Sequence, residues 1–173
     1  STDHPAYSMF LNAARILNSV GFDVKVVTSQ TALSDLSAGK LAIWAAAWSS
    51  TIDPDMYQVY HMDSQASSTS NWGYKQIKAG KNTEAYAEEY RIITELSDLI
   101  DQGRSTTNQN ERKGIYAQAL DKVMEFAVEM PTYQRNDMSA YNKNVLDEGT
   151  MTPASERSPY NGLISRIWEL NYR

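Results

Sequence analysis

LAIWAAAWSSTIDPD, residues 41–55, joins eight consecutive apolar residues to a polar turn and an Asp-Pro-Asp helix start. An apolar run of this length between turn signals is typical of a strand buried on both faces, although periodicity alone also fits a buried helical segment. A glycine before the run and a proline after it favour the strand. Alternation along a strand places Trp44, Ala46 and Trp48 on one face. Because α/β proteins bind small ligands in the loops that follow central strands, we expect a ligand first at the turn after Trp48.

The patterns before this stretch alternate between helix and strand. Residues 5–19 carry apolar side chains at three- and four-residue spacing after a proline start, which predicts an amphipathic helix. Residues 22–26 alternate apolar and charged side chains, as a half-buried strand does, and residues 31–37 predict a short helix. The order helix, strand, helix, strand predicts an α/β fold, with a central sheet flanked by helices.

The patterns after this stretch are mostly helical. Residues 56–60 predict one or two helical turns with Asp53 as the capping residue. Apolar stripes predict long helices over residues 83–101 and 109–128, and Asn108 is the expected cap of the second. The short polar turn between these helices predicts an antiparallel hairpin.

The tail of the chain changes character. Residues 130–135 and 138–142 predict short strands, and an irregular polar stretch follows them. The length of the chain favours one domain over two. We therefore expect a single lobe over residues 1–173, with an α/β body at 1–135 and returning strands and a tail at 136–173.

Composition excludes several classes of protein. Contents of 42% hydrophobic and 21% charged residues lie near globular averages. The net charge of −5, from 16 basic and 21 acidic residues, argues against nucleic acid and anionic membrane surfaces as partners. The absence of cysteine excludes disulfides, thiolate zinc sites, iron–sulfur clusters and cysteine nucleophiles. No run of about 18 apolar residues is present, so we expect no membrane span.

The sequence holds no convincing catalytic or metal-binding pattern. Asp53, Asp55, His61 and Asp63 contain the right donor atoms, but their spacing matches no known ligand pattern. There is no Gly-x-Ser-x-Gly elbow, dinucleotide fingerprint or phosphate-binding loop. We therefore predict a protein that is not an enzyme and that uses no metal and no cofactor.

The two tryptophans of the apolar run have different expected roles. A tryptophan inside a buried strand usually belongs to the core, and this is the favoured interpretation of Trp44. Trp48 ends the run just before hydroxyl-rich residues, so core packing and stacking on a ligand are equally good interpretations there.

Seven short motifs, in order, resemble the carboxy-terminal lobe of the family 5 extracellular solute-binding proteins, the oligopeptide, dipeptide and nickel receptors of ABC importers. The resemblance spans nearly the whole chain. The motifs are A-x-x-L-x-x-x-G-F-x-V from Ala14 to Val24, W-x-x-x-x-D-P-D from Trp48 to Asp55, Ser70-Asn71 with Gly73-Tyr74, E-R-x-x-x-Y-x-x-A from Glu111 to Ala119, M-P-x-Y-x-R from Met130 to Arg135, Tyr141-Asn142 with Val145, and Ile167-Trp168.

The resemblance implies one lobe of a type II-like periplasmic binding protein fold, in which two lobes close on an extended ligand. The segment after the tryptophan-ended strand lines the cleft in that family, so the implied ligand-binding residues are Trp48, Ser49, Ser50, Thr51 and Asp53. Peptide-binding members commonly carry an aspartate at the position of Thr51, where it meets the amino terminus of the ligand. Asp53 is the nearest carboxylate that could substitute for it.

The resemblance also implies a setting for the protein. Its expected partners are a small peptide or similar solute, an amino-terminal lobe of the same protein, of which this chain would be a fragment, and an ABC permease. The expected location is extracytoplasmic, in the periplasm or as a lipoprotein on the cell surface, and therefore peripheral to the membrane. The alternative hypothesis is a free-standing helix-rich protein–protein interaction domain that docks through exposed Tyr86 and Tyr90.

Overall fold

The computed structural model describes residues 2–38, 40–49, 51–134, 136 and 138–173, apart from the side chain of residue 68. These residues form two compact units. The helical unit consists of Ser1–Ala47 and Asp55–Val128, and the C-terminal unit consists of Trp48–Pro54 and Glu129–Arg173.

The predicted α/β class with a central sheet is wrong. The structure is 49% helical with 2% strand, and its described residues form no sheet. Residues 22–26 and 41–48 do not join a strand ladder with any described residue, and Phe22 and Ile43 are 62% and 68% exposed. The alternating pattern predicts side-chain burial, whereas a sheet also needs a second backbone in register to accept its hydrogen bonds.

The short strands predicted in the tail are also wrong over the described residues, and Arg135 and Asp137 lie outside them. The C-terminal unit instead contains isolated antiparallel bridges, between Leu146 and Tyr172 and between Ser158 and Asn161. The helices among its described residues are 3-10 helices, at Glu148–Thr150, Ala154–Glu156 and Ile167–Glu169.

The two helices predicted near the amino end are confirmed. Helix α1 spans Pro5–Ser19, with the predicted bounds, and α2 spans Ala32–Ser37. The imidazole Nδ1 of His4 caps α1 by accepting a hydrogen bond from the backbone N–H of Ala6 at 3.2 Å. Gly21 follows α1 with a φ of +102°, a conformation that residues with a Cβ rarely adopt.

Three short helices follow, and the first has a different cap from the predicted one. Helices α3, α4 and α5 span Tyr57–Tyr60, Ser67–Asn71 and Tyr74–Ala79. The residue at the N-cap position is Met56, and the carboxylate of Asp55 accepts a hydrogen bond from the backbone N–H of Tyr57 at 3.0 Å. The helix therefore begins one residue later than the predicted stretch 56–60.

The predicted hairpin of long helices is confirmed, with α6 at Ala87–Ser105 and α7 at Gln109–Phe126. Three contacts along the hairpin join Arg91 to Glu125, Glu95 to Lys122, and Gly103 to Arg112. Along this series the residue numbers rise on α6 and fall on α7. This is the signature of antiparallel packing.

The side-chain oxygen of Asn108 accepts hydrogen bonds from the backbone N–H groups of residues 110 and 111, as predicted for the cap of α7. Helix α6 begins four residues later than predicted, because residues 80–86 form turns. In these turns the Thr83 hydroxyl donates to the Gly80 carbonyl oxygen at 2.6 Å.

Helix α6 supplies the centre of the core. Ile93, Leu96 and Ile100 are completely buried, at the three- and four-residue spacing of one helix face. They contribute to two apolar clusters of the helical unit. One cluster contains Met56, Leu96, Ile100, Tyr116, Ala119 and Val123, and the other contains Trp72, Tyr74, Ile77 and Ile93.

An ion-pair network links α6 and α7 on the outside of the hairpin. The guanidinium of Arg91 lies 2.6 Å from Glu88, 2.7 Å from Glu95 and 2.7 Å from Glu125. The ammonium of Lys122 lies 2.7 Å from Glu95 and 2.6 Å from Glu125. Hydrogen bonds from Lys122, and to a smaller extent from Arg91, lower the pKa of Glu95 and the pKa of Glu125 below their ordinary value. A hydrogen bond from Arg91 lowers the pKa of Glu88.

The network predicts a specific pH dependence of stability. Carboxyl groups with lowered pKa values stabilise the folded state above the ordinary value of 4.5, and this contribution is lost as the pH falls through the lowered values. Arg91→Met should therefore lower the free energy of unfolding at neutral pH, and its difference from the wild type should shrink at about pH 3. Urea titrations at both pH values measure this difference. Lys113→Met, at an exposed site on the same hairpin, is the control. An Arg91→Met effect that is equal at both pH values would contradict the prediction.

Candidate functional site

The predicted ligand-binding residues lie on one segment, Trp48–Pro54, which belongs to the C-terminal unit. Ser50 lies outside the described residues. Ser49, Thr51 and Asp53 are exposed. Among the described residues of the C-terminal unit, hydrogen bonds with the distant residues Glu129 and Tyr160 hold the segment.

The first of these bonds holds Trp48. Its indole Nε1 donates to the carboxylate Oε1 of Glu129 at 2.8 Å, and its side chain is 53% exposed. The indole has one donor, so this bond orients the edge of the ring, and the exposed surface of Trp48 is mainly apolar ring. Such a side chain can stack on a ligand without losing a hydrogen bond.

The second bond holds Thr51. The hydroxyl of Tyr160 donates to the backbone carbonyl oxygen of Thr51. The hydroxyl of Thr51 donates to the backbone carbonyl oxygen of Asp53 at 2.6 Å, so it is used within the segment itself. Ile52, between these two residues, is 88% exposed. The described residues of the segment therefore present both polar and apolar groups to solvent.

The other tryptophan of the apolar run has a core environment. The ring of Trp44 stacks on that of Trp72, with centroids 5.6 Å apart and planes inclined by 16°. Trp72 is buried and donates its indole N–H to the carbonyl oxygen of Val59 at 3.0 Å. Of the two interpretations of Trp44, the structure favours packing.

Three of the four residues considered as a metal site, Asp55, His61 and Asp63, make other contacts in the helical unit. The carboxylate of Asp55 lies 3.2 Å from Arg104, and that of Asp63 lies 3.0 Å from Lys78. His61 is buried, and its Nδ1 accepts a hydrogen bond from the backbone N–H of Asp63 at 3.0 Å, while its Nε2 lies 3.4 Å from the carboxylate of Asp101. These contacts account for the side chains as structural groups.

Two open cavities are lined by residues outside the Trp48–Pro54 segment. One, of about 500 Å³, is in the C-terminal unit and includes Tyr141, Arg157 and Leu163 in its lining. The other, of about 410 Å³, is in the helical unit and is lined by residues that include Tyr74 and Lys78.

Among the described residues, no helix is both long and apolar enough to cross a membrane.

Reasoning from the sequence did not identify two residues that hold the segment, Glu129 and Tyr160. Glu129 is 81 positions from Trp48 in the chain, and Tyr160 is 109 positions from Thr51. No periodicity or local motif connects residues at such separations. The order of motifs places Glu129 next to Met130-Pro131, which is the one local signal that pointed to this part of the chain.

Comparisons of the chain with protein-family models, with curated proteins and with solved structures each give no match.

The bond from Tyr160 predicts the rigidity of the segment. Tyr160→Phe removes the hydroxyl donor and keeps the ring, so the carbonyl of Thr51 loses its partner. We expect the backbone order parameters of Thr51 and Ile52, measured by ¹⁵N relaxation, to fall to less than about 0.6, the range of flexible loops. Tyr172→Phe, at an exposed position of the same unit, is the control and should leave them unchanged. Equal order parameters in the wild type and Tyr160→Phe would show that the bond does not restrain the segment.

Proposed function

We propose that this chain is a ligand-binding lobe of the solute receptor of an ABC importer, without catalysis, and that Trp48–Pro54 forms one wall of its ligand cleft. Peptides are the leading ligand class because they are the most frequent ligands of the family that the motifs resemble. The observation that supports the proposal best is Trp48, a half-exposed indole whose only donor is already bound to Glu129.

The geometry supports a wall rather than a complete pocket. The segment is held at Trp48 and at Thr51, and the side chains of Ser49, Ile52 and Asp53 are exposed on the surface of the C-terminal unit. A ligand on this surface would be covered on one side, whereas small-molecule sites usually bury most of the ligand. The proposal therefore requires a second surface to enclose the ligand.

An amino-terminal lobe of the same protein is the proposed source of that surface. Phe22, Val27 and Ile43 are exposed apolar side chains of the helical unit, and burying them against another protein surface would be favourable. The further proposed partner is an ABC permease, and the proposed location is extracytoplasmic and peripheral to the membrane. With Thr51 in place of the usual aspartate, Asp53 is the proposed carboxylate for the amino terminus of a peptide.

A free-standing interaction domain is the second candidate, and the helix-rich fold favours it. Its proposed docking surface receives less support. Tyr90 is half-buried and packs against the cluster around Ile93, and the ring of Tyr86 lies against Gly80. These two side chains consequently offer less free aromatic area than the helical stripe suggested.

A peptide titration tests the proposed wall. Trialanine with free termini should shift the amide resonances of the Trp48–Pro54 segment with a dissociation constant in the millimolar range, corresponding to about −4 kcal/mol. The weakness is expected because one wall supplies part of the contacts and excludes little water. Trp48→Ala should abolish these shifts. Trp168→Ala, at another exposed tryptophan of the same unit, should preserve them. Saturable micromolar binding would contradict the half-cleft geometry, and an absence of shifts in the wild type would contradict the proposed wall.

The coding frame upstream of Ser1 separates the two candidates. The receptor hypothesis predicts that this frame continues into an amino-terminal lobe preceded by a signal sequence. Sequencing the gene and its transcript is the measurement. An initiation codon directly before Ser1 would contradict the receptor hypothesis and favour the interaction domain.

A further inference from the structure

Glu129 has a role that the motifs do not assign to it. We infer that Glu129 is the positioning residue of Trp48, and that its carboxylate sets the orientation in which the indole meets a ligand. This inference rests on the proposed function, because it concerns the ligand-facing ring of the same wall.

The contact between the two side chains is strong and directional. The distance of 2.8 Å from Nε1 to Oε1 lies in the range of good hydrogen bonds, and an ionised acceptor makes such a bond roughly twice as strong as a neutral one. Glu129 is half-buried and Trp48 is half-exposed, so the bond lies at the surface of the C-terminal unit. Without this acceptor, the indole N–H would be free to bond to water in several orientations of the ring.

The position of Glu129 in the chain suits this role. Helix α7 ends at Phe126, and the next residue, Ala127, has a φ of 55°, in the left-handed region. Glu129 therefore lies beyond the helix, in the part of the chain that packs with Trp48–Pro54 in the C-terminal unit. The bond joins the two pieces of that unit.

The pair also determines what Trp48 can recognise. Its donor is occupied, so the ring contributes its face rather than a hydrogen bond. The face of an aromatic ring has a negative electrostatic potential, which attracts cations and repels anions. The carboxylate of Glu129 at the ring edge makes the potential near Trp48 more negative. The Trp48 position therefore favours an apolar or positively charged group of the ligand over a carboxylate group.

The test compares two substitutions of Glu129 in protein labelled with 5-fluorotryptophan. Glu129→Gln keeps an acceptor oxygen, whereas Glu129→Ala removes it. The ¹⁹F resonance of Trp48 is assigned as the one lost in Trp48→Phe. We expect it to shift and sharpen in Glu129→Ala and to stay close to the wild type in Glu129→Gln. Glu169→Ala, at a half-exposed glutamate of the same unit, is the control and should leave it unchanged.

Binding of trialanine provides the second measurement. The affinity should fall by about three- to tenfold in Glu129→Ala, the loss of one hydrogen bond, and by less than about twofold in Glu129→Gln. If Trp48→Ala abolishes binding but Glu129→Ala changes neither binding nor the ¹⁹F spectrum, the inference fails and the proposed function stands. If trialanine does not bind the wild type, the proposed function fails, and the inference fails with it.

Discussion

The burial of one face of α6 is the constraint on which the helical unit depends. Ile93, Leu96 and Ile100 are completely shielded from water, and each belongs to a cluster that also includes residues from other helices. Burying a side chain of this size contributes roughly 1.5–3 kcal/mol, more than an exposed ion pair does. The charged network of Arg91 and Lys122 therefore aligns the hairpin, while the apolar face holds it in place.

The C-terminal unit is held together differently. Its bridges are isolated, its helices are single 3-10 turns, and its contacts with Trp48–Pro54 include hydrogen bonds from Tyr160 and to Glu129. Each such bond contributes about 1 kcal/mol net, so the loss of one can mobilise a local segment without unfolding the rest. Local rearrangement of this unit is therefore expected to cost less free energy than rearrangement of the α6–α7 core.

The sequence predicted the helices well and the sheet wrongly, for one physical reason. A helix satisfies its backbone hydrogen bonds within its own residues, so the spacing in 5–19 and the cap at Asn108 are sufficient signals. A strand needs a partner backbone that its own pattern does not specify, and residues 22–26 acquire none among the described residues. The candidate site has the same limit: local context draws attention to Trp48, but it gives no indication of Glu129, which lies 81 positions away and accepts the hydrogen bond of Trp48.

The two tryptophans of the apolar run show why local sequence cannot assign a binding role. Trp44 and Trp48 are four positions apart in the same apolar run. The ring of Trp44 nevertheless stacks on Trp72, whereas Trp48 is half-exposed and donates its indole N–H to the carboxylate of Glu129. Long-range contacts make this difference. The hydroxyl of Thr51, at the position where peptide-binding members of the resembled family commonly carry an aspartate, donates to the backbone of its own segment. Within the proposed wall, the ring of Trp48 is therefore better placed to meet a ligand than the side chain of Thr51.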